Sequence, residues 1–166
     1  MQDNIIVKPS VEKQFDRFLR QGRVLFFSAP CGFGKTAVAE ALLSGREVLR
    51  LSTDSADFSL PSAEADWQIL LLDDLQDMQE EQDWNALCEL IRACPERRFV
   101  LLSRGAPPGS LMAFQYTGLM TVLEADDLLF DADDVRRLFQ LSGANVTDSE
   151  IDGILKEPVG YPLGVA

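Results

Sequence analysis

The sequence predicts a three-layer α/β/α fold on a mainly parallel five-stranded sheet, followed by the beginning of a helical subdomain. Three observations carry this expectation. Val24–Phe27 and Ile69–Leu72 are apolar at every position, as strands buried on both faces are. Such runs alternate with segments of helical periodicity. After about Ala125 the strand signals cease and only helical patterns remain. The expected division is an α/β domain over residues 1–125 and a helical, lid-type segment over 126–166.

Each element has its own local reason. Ser10 can cap a first helix that places Val11, Phe15, Phe18 and Leu19 on one face. The first strand, Arg23–Ser28, leads through a glycine-rich turn to a helix over Thr36–Ser44, which ends before Gly45. Glu47–Ser52 reads as the second strand. Thr53–Asp66, rich in Ser, Asp and Pro, reads as a loop with no helix of its own. Trp67–Asp73 is the third strand, and Asp83 can cap a helix whose inner stripe is Trp84, Leu87, Cys88 and Ile91. Phe99–Ser103 and Met120–Leu123 supply the fourth and fifth strands. Asp131 opens a helix with Val135, Leu138 and Phe139 inward, and Thr147-Asp-Ser-Glu150 is a capping box for another. The acidic cluster Asp126–Asp134 is expected to be a solvated loop and helix cap. The chain ends in an apolar stretch, Gly160-Tyr-Pro-Leu-Gly-Val-Ala166, with no polar cap, so a longer parent protein is expected.

Composition removes several function classes. The chain has 166 residues, 46% of them hydrophobic and 25% charged, ordinary values for a folded soluble domain. Its net charge of −12, from 15 Lys and Arg against 27 Asp and Glu, repels a phosphate backbone, so direct nucleic-acid binding by this segment is not expected. With no histidine, His-ligated zinc sites and Ser-His or Cys-His catalysis are excluded. Cys31, Cys88 and Cys94 follow no secretory leader, and reduced thiols in a cytoplasm are expected. No apolar run approaches the roughly 18 residues of a membrane span.

The chemistry-bearing segment is Ala29-Pro-Cys-Gly-Phe-Gly-Lys-Thr36, between a buried strand and a helix. Apart from Ala29 it fits the phosphate-binding pattern Gly-x-x-x-x-Gly-Lys-Ser/Thr. Gly32 and Gly34 allow the backbone to curl so that successive N–H groups point at a polyphosphate, reinforced by the helix N-terminus. The expected nucleotide-binding set is Gly32, Phe33, Gly34, Lys35, Thr36 and Ala37. Lys35 brings a point charge to the β and γ phosphates, and the Thr36 hydroxyl is a hard ligand for Mg²⁺. Cys31 lies inside this loop, so alkylation there is expected to interfere with nucleotide binding.

The third strand ends in Asp73-Asp74. Asp73, at the C-terminal edge of a parallel sheet, can serve Mg²⁺ beside Thr36. Asp74 points elsewhere and either orients or deprotonates an attacking water or simply opens the turn. The catalytic candidates are thus Lys35, Asp73 and Asp74. If the fourth strand lies between the loop strand and the Asp73 strand, Arg104 emerges opposite the γ-phosphate. It is then either a sensor of ATP against ADP or an exposed loop residue.

Four motifs in order carry a family resemblance: Ser28-Ala-Pro-Cys-Gly-Phe-Gly-Lys-Thr36, Leu71-Leu-Asp-Asp-Leu-Gln76, Leu102-Ser-Arg-Gly-Ala-Pro-Pro108 and Gly160-Tyr-Pro-Leu163. Together they resemble the nucleotide-binding domain of signal-transduction ATPases with numerous domains (STAND), in the MalT-like branch of LuxR-type transcriptional regulators. In that group Ala-Pro commonly opens the loop. The resemblance implies a P-loop NTPase fold and an ATP/ADP switch with Mg²⁺. It implies self-association in the ATP state and DNA recognition by a helix-turn-helix elsewhere in the parent protein. It also implies that Pro162 packs against the adenine and that Lys8-Pro9 lies near the base. The short connection before the Asp73 strand departs from the family pattern. Two other readings are a small-molecule kinase, which needs a lid with several arginines, and a degenerate scaffold without nucleotide.

Overall fold

The computed structural model describes residues 7–141, 143 and 145–156. Strands β1 (Val24–Ser28), β2 (Val48–Ser52), β3 (Ile69–Asp73), β4 (Arg98–Ser103) and β5 (Met120–Glu124) form one sheet in the order β2-β3-β4-β1-β5. All neighbouring pairs are parallel, so the sheet is wholly rather than mainly parallel. The helices are α1 (Pro9–Gln21), α2 (Lys35–Leu42), α3 (Glu81–Ala93), α4 (Met112–Tyr116), α5 (Ala125–Leu128), α6 (Ala132–Leu141) and α7 (Asp148–Lys156).

Side chains alternate across the strands and sort the core into two layers. Val24, Phe26, Leu70, Leu72, Phe99 and Leu101 meet Leu87, Cys88 and Ile91 of α3 on one face. Leu25, Phe27, Leu71, Val100 and Leu102 meet Val11, Phe15 and Phe18 of α1 and Val38 and Ala39 of α2 on the other. This explains the uninterrupted apolar runs, because both faces of the inner strands are covered. The β2–β3 connection has no helix, as expected; Phe58, Leu60 and Ala63 of that loop pack on the α3 face instead. Trp67 completes that layer, edge-on to Phe99 at 5.5 Å with its indole N–H donating to Ser62 O at 3.0 Å.

Two helix starts differ from the sequence expectation. α1 begins at Pro9, with Lys8 rather than Ser10 at the N-cap. Proline suits the first helical position because its missing N–H would have had no intrahelical acceptor. The Lys8 carbonyl accepts from Val11 N and Glu12 N, each at 3.0 Å. α3 begins at Glu81 behind the N-cap Glu80, so Asp83 sits within the first turn and favours the helix dipole there instead of capping it. The later caps are as expected. Asp131 and Asp134 exchange side-chain-to-backbone hydrogen bonds of 2.9 Å, and Thr147 and Glu150 form the capping box of α7. α5 is a helix not expected from the sequence, and it has its own capping box from Glu124 and Asp127.

The acidic cluster is not all solvated. Asp134 is 3% exposed and lies 3.8 Å from Lys8 Nζ, which also donates to Leu129 O at 2.7 Å. Burial raises the Asp134 carboxyl above its ordinary range, while the Asp134 backbone N–H holds Asp131 below it. Phe130, Val135 and Ile151 form a small cluster of their own at α6 and α7, and Leu128 of α5 joins the α1–α2 layer. Leu138 falls on a side chain outside the described set, whereas Phe139 packs against that small cluster.

Two predictions follow from packing and pairing. Phe26, fully buried in the central strand, is expected to cost about 3–5 kcal/mol as Phe26→Ala in urea unfolding, with the slope unchanged. Arg50 of β2 donates to Glu40 of α2 through two nitrogens, at 2.7 and 2.8 Å, and these bonds hold the Glu40 carboxyl below its usual 4.5. A depressed carboxylate stabilises the fold above its unfolded pKa and loses that contribution as pH falls through the folded value. The stability gap between wild type and Glu40→Gln, at most about 1 kcal/mol for so exposed a pair, is therefore expected to close as pH drops below 4.5.

Candidate functional site

Because the strands are parallel, their C-terminal ends share one edge, and the order puts β4 between β1 and β3. The register aligns Ser28 with Ser103 and Leu72 with Leu101, so the loop after β1, Asp73 and Arg104 emerge together. They border a cleft of about 480 Å³, a size in the range of small-ligand sites. Gly32, Gly34, Lys35, Thr36, Ala37 and Arg104 all line it, as do Asp73 and Asp74.

The loop has the geometry of a main-chain cradle. Gly32 (φ 91°) and Gly34 (φ 75°) adopt left-handed conformations that L side chains resist. Gly32 lines the cleft, and a Cβ built on it would meet nothing within 4 Å, so the space beside it is open. α2 starts immediately after, with Gly34 as its N-cap. Phe33 differs from its neighbours. Its side chain is 6% exposed and packs with the α1–α2 layer, so only its main chain is placed to serve the cleft.

Lys35 folds back on the loop, donating from Nζ to Ala29 O at 2.5 Å and Pro30 O at 3.0 Å. Burial pulls its pKa below that of a free lysine and nearby Arg104 adds to this, while Cys31, Asp73 and Asp74 oppose it. Thr36 Oγ1 donates to Asp73 Oδ2 at 3.0 Å, joining the start of α2 to the end of β3. Asp73 Oδ1 accepts the Asp74 N–H at 2.7 Å. Among the described residues Asp74 is the one non-glycine with positive φ, 59°, a strained conformation that its neighbours must maintain. Ser52 Oγ lies 2.7 Å from Asp74 Oδ2 and 2.6 Å from Asp54 Oδ1, and with a single proton it donates to one of them at a time. The Thr53 hydroxyl donates to Asp74 O.

A hard divalent cation suits the pair at the centre of the cleft. The Thr36 hydroxyl and the Asp73 carboxylate are hard oxygen donors already in contact, and the Gly32 cradle beside them leaves the room an anion needs. Among the described residues no group of three or more Cys, Asp or Glu forms an independent metal cluster.

The structure therefore brings together Gly32, Gly34, Lys35, Thr36, Ala37, Asp73, Asp74 and Arg104, whereas the Phe33 side chain turns into the core and Pro162 lies outside the described residues. Two lining residues, Glu40 and Gln76, carry no role in the sequence analysis, and neither does Ser52, which contacts the Asp74 carboxylate from β2. Glu40 could have been found by helical spacing, four residues after Thr36. Gln76 could not, because its partner Arg104 is 28 residues away.

No protein-family model matches the chain, and no curated protein matches its sequence. Solved structures do match it. A replication initiator DnaA bound to AMPPCP and single-stranded DNA is 17% identical, with a TM-score of 0.57 over 94% of this chain and 59% of its own. A Walker-type ATPase of Pyrococcus abyssi is 13% identical, with a TM-score of 0.63 over 97% and 66%. A STAND protein with a tetratricopeptide-repeat sensor from Pyrococcus horikoshii is 10% identical, with a TM-score of 0.62 over 99% and 30%. The fold is that of the P-loop ATPases. This P-loop ATPase-like domain spans 30–66% of the length of these neighbours. Among its described residues no helix is long and apolar enough to cross a membrane.

Thiol accessibility gives a direct check on the cleft. Cys31 is exposed on the loop, whereas Cys88 and Cys94 are buried, and burial pushes the Cys88 thiol up. A maleimide added to folded protein is expected to modify Cys31 alone, as read by peptide mass spectrometry. Early labelling of Cys88 would contradict the packing of α3.

Proposed function

We propose that this chain is the ATP-binding, slowly hydrolysing switch domain of a signal-transducing regulator of the MalT-like, LuxR-type branch of STAND ATPases. The observation that carries the nucleotide reading is the Thr36–Asp73 contact of 3.0 Å beside an open main-chain cradle, with Arg104 at the end of the intervening strand. The branch assignment rests on the four sequence motifs. The neighbours' fold supports a P-loop domain.

The roles follow from the chemistry of each group. The amides from Gly32 to Ala37 and the start of α2 bind phosphate oxygens. Lys35, now satisfied by two carbonyls, exchanges them for the more strongly attracting phosphate anion. Thr36 and Asp73 are the residues that would hold Mg²⁺, whose chemistry is to neutralise charge on the phosphates. Arg104 reads the terminal phosphate, and Asp74 orients or accepts a proton from the attacking water. Residues 126–166 form the start of the lid-type subdomain, and self-association belongs to the ATP state. The kinase reading lacks the several arginines of a lid: after Arg104 the sequence has only Arg136 and Arg137, and Arg136 is paired with Asp133 and Asp148.

Titration with a fluorescent ATP analogue, with and without Mg²⁺, tests the proposal. Lys35→Ala is expected to abolish binding, and unchanged affinity would contradict the loop assignment. Asp73→Ala is expected to retain metal-free binding but lose the Mg²⁺ enhancement; a variant that keeps the enhancement would defeat that role.

A further inference from the structure

We propose that Gln76 is a positioning residue for the hydrolytic step, tying the Asp74 carboxylate to the main chain of Arg104 so that the ends of β3 and β4 act as one unit. The inference rests on the nucleotide reading of the same cleft. Gln76 lies in the 3-10 turn Leu75–Asp77 that follows β3 and lines the cleft. Its Oε1 accepts the Arg104 N–H at 3.2 Å, and its Nε2 donates to Asp74 Oδ1 at 3.3 Å. The partners determine the orientation of the amide. A backbone N–H demands the oxygen and a carboxylate demands the NH₂, so a flipped amide would lose both bonds.

The direction of these bonds gives Gln76 its function. Asp74 is held in a left-handed conformation with one carboxylate oxygen bound from each side. Ser52, on Oδ2, belongs to β2 at the outer edge of the sheet, away from the phosphate loop. Gln76, on Oδ1, is anchored to the end of β4, which lies next to the loop strand β1. Without the Gln76 amide, Ser52 remains as the side-chain partner of the carboxylate and draws it toward the outer edge. The Arg104 N–H loses its acceptor in the same event. One amide thus holds the base candidate toward the reacting phosphate and steadies the residue proposed to sense that phosphate.

The test uses the full 166-residue chain. Steady-state hydrolysis of Mg²⁺-ATP is measured together with the affinity for a fluorescent ADP analogue in EDTA. Gln76→Met keeps the length of the side chain and removes both bonds. It is expected to lower kcat by about tenfold or more, with KM and ADP affinity within about twofold of wild type. In an Asp74→Asn background the same change is expected to cause no further loss. Gln76→Glu keeps the acceptor for Arg104 but places a carboxylate against Asp74, and is expected to fail as Gln76→Met does. Hydrolysis by Gln76→Met within about twofold of wild type would overturn the proposal, as would a loss of ADP affinity as large as the loss of kcat. Full activity in Gln76→Glu would remove Asp74 from it. A wild type that binds nucleotide through Lys35 without hydrolysing it would overturn this inference alone; one that binds none would overturn the nucleotide reading as well.

Discussion

The position of β4 between β1 and β3 governs everything at the cleft. In a parallel sheet adjacent strands run about 4.8 Å apart, so the ends of β1 and β3 stand roughly 10 Å from each other. That separation is too large for a direct contact between strand ends. It is bridged because the chain leaving β1 curls through Gly32 and Gly34 and starts α2 over the gap, which brings Thr36 Oγ1 to Asp73. Arg104 leaves β4 in the middle of the same gap. Had β4 been an edge strand, as β2 is, the same residues would be present without facing one another.

Left-handed backbone occurs on both sides of the cleft, but it has different origins. In the loop it falls on glycines, where it costs little, and its effect is to turn amides toward open space. At Asp74 it falls on a residue with a side chain, and the surroundings must hold it there. They do so with bonds to every polar part of the residue: Asp73 takes its N–H, Thr53 caps its carbonyl, and Ser52 and Gln76 hold its carboxylate. An ordinary turn at a strand end would not need four partners. Two of these bonds, from Ser52 and Gln76, bear on the direction of the carboxylate, and the other two hold the main chain.

The parts legible in the sequence were those governed by local physics. Val24–Phe27 and Ile69–Leu72 announced doubly covered strands, and the Gly-Lys-Thr turn announced the cradle. The reciprocal caps at Asp131 and Thr147 were readable because both partners lie within one turn. The misplaced starts of α1 and α3 have the opposite cause. Neither start uses a side-chain cap, so no capping residue marked them. The burial of Asp134 was hidden because its cover, Lys8, comes from the other end of the chain. Gln76 illustrates the same limit at the site. Nothing within its own turn distinguishes it from a surface glutamine, and its role arises only when sheet order brings the end of β4 beside it.

Charge then explains why so acidic a protein can still receive a polyanion. Lys35 and Arg104 share the cleft lining with Asp73, Asp74 and Glu40, so side-chain charge alone does not favour a polyphosphate. Lys35 is also partly desolvated, which weakens its charged form. On the nucleotide reading the attraction would come mainly from main-chain dipoles at the loop and the start of α2, and Mg²⁺ held by Thr36 and Asp73 would neutralise charge on the phosphates. On the same reading the carboxylates would favour a nucleotide that carries its metal. An anion arriving without a metal would meet their repulsion, whereas with a bound cation Asp73 would serve as a ligand instead of an opponent.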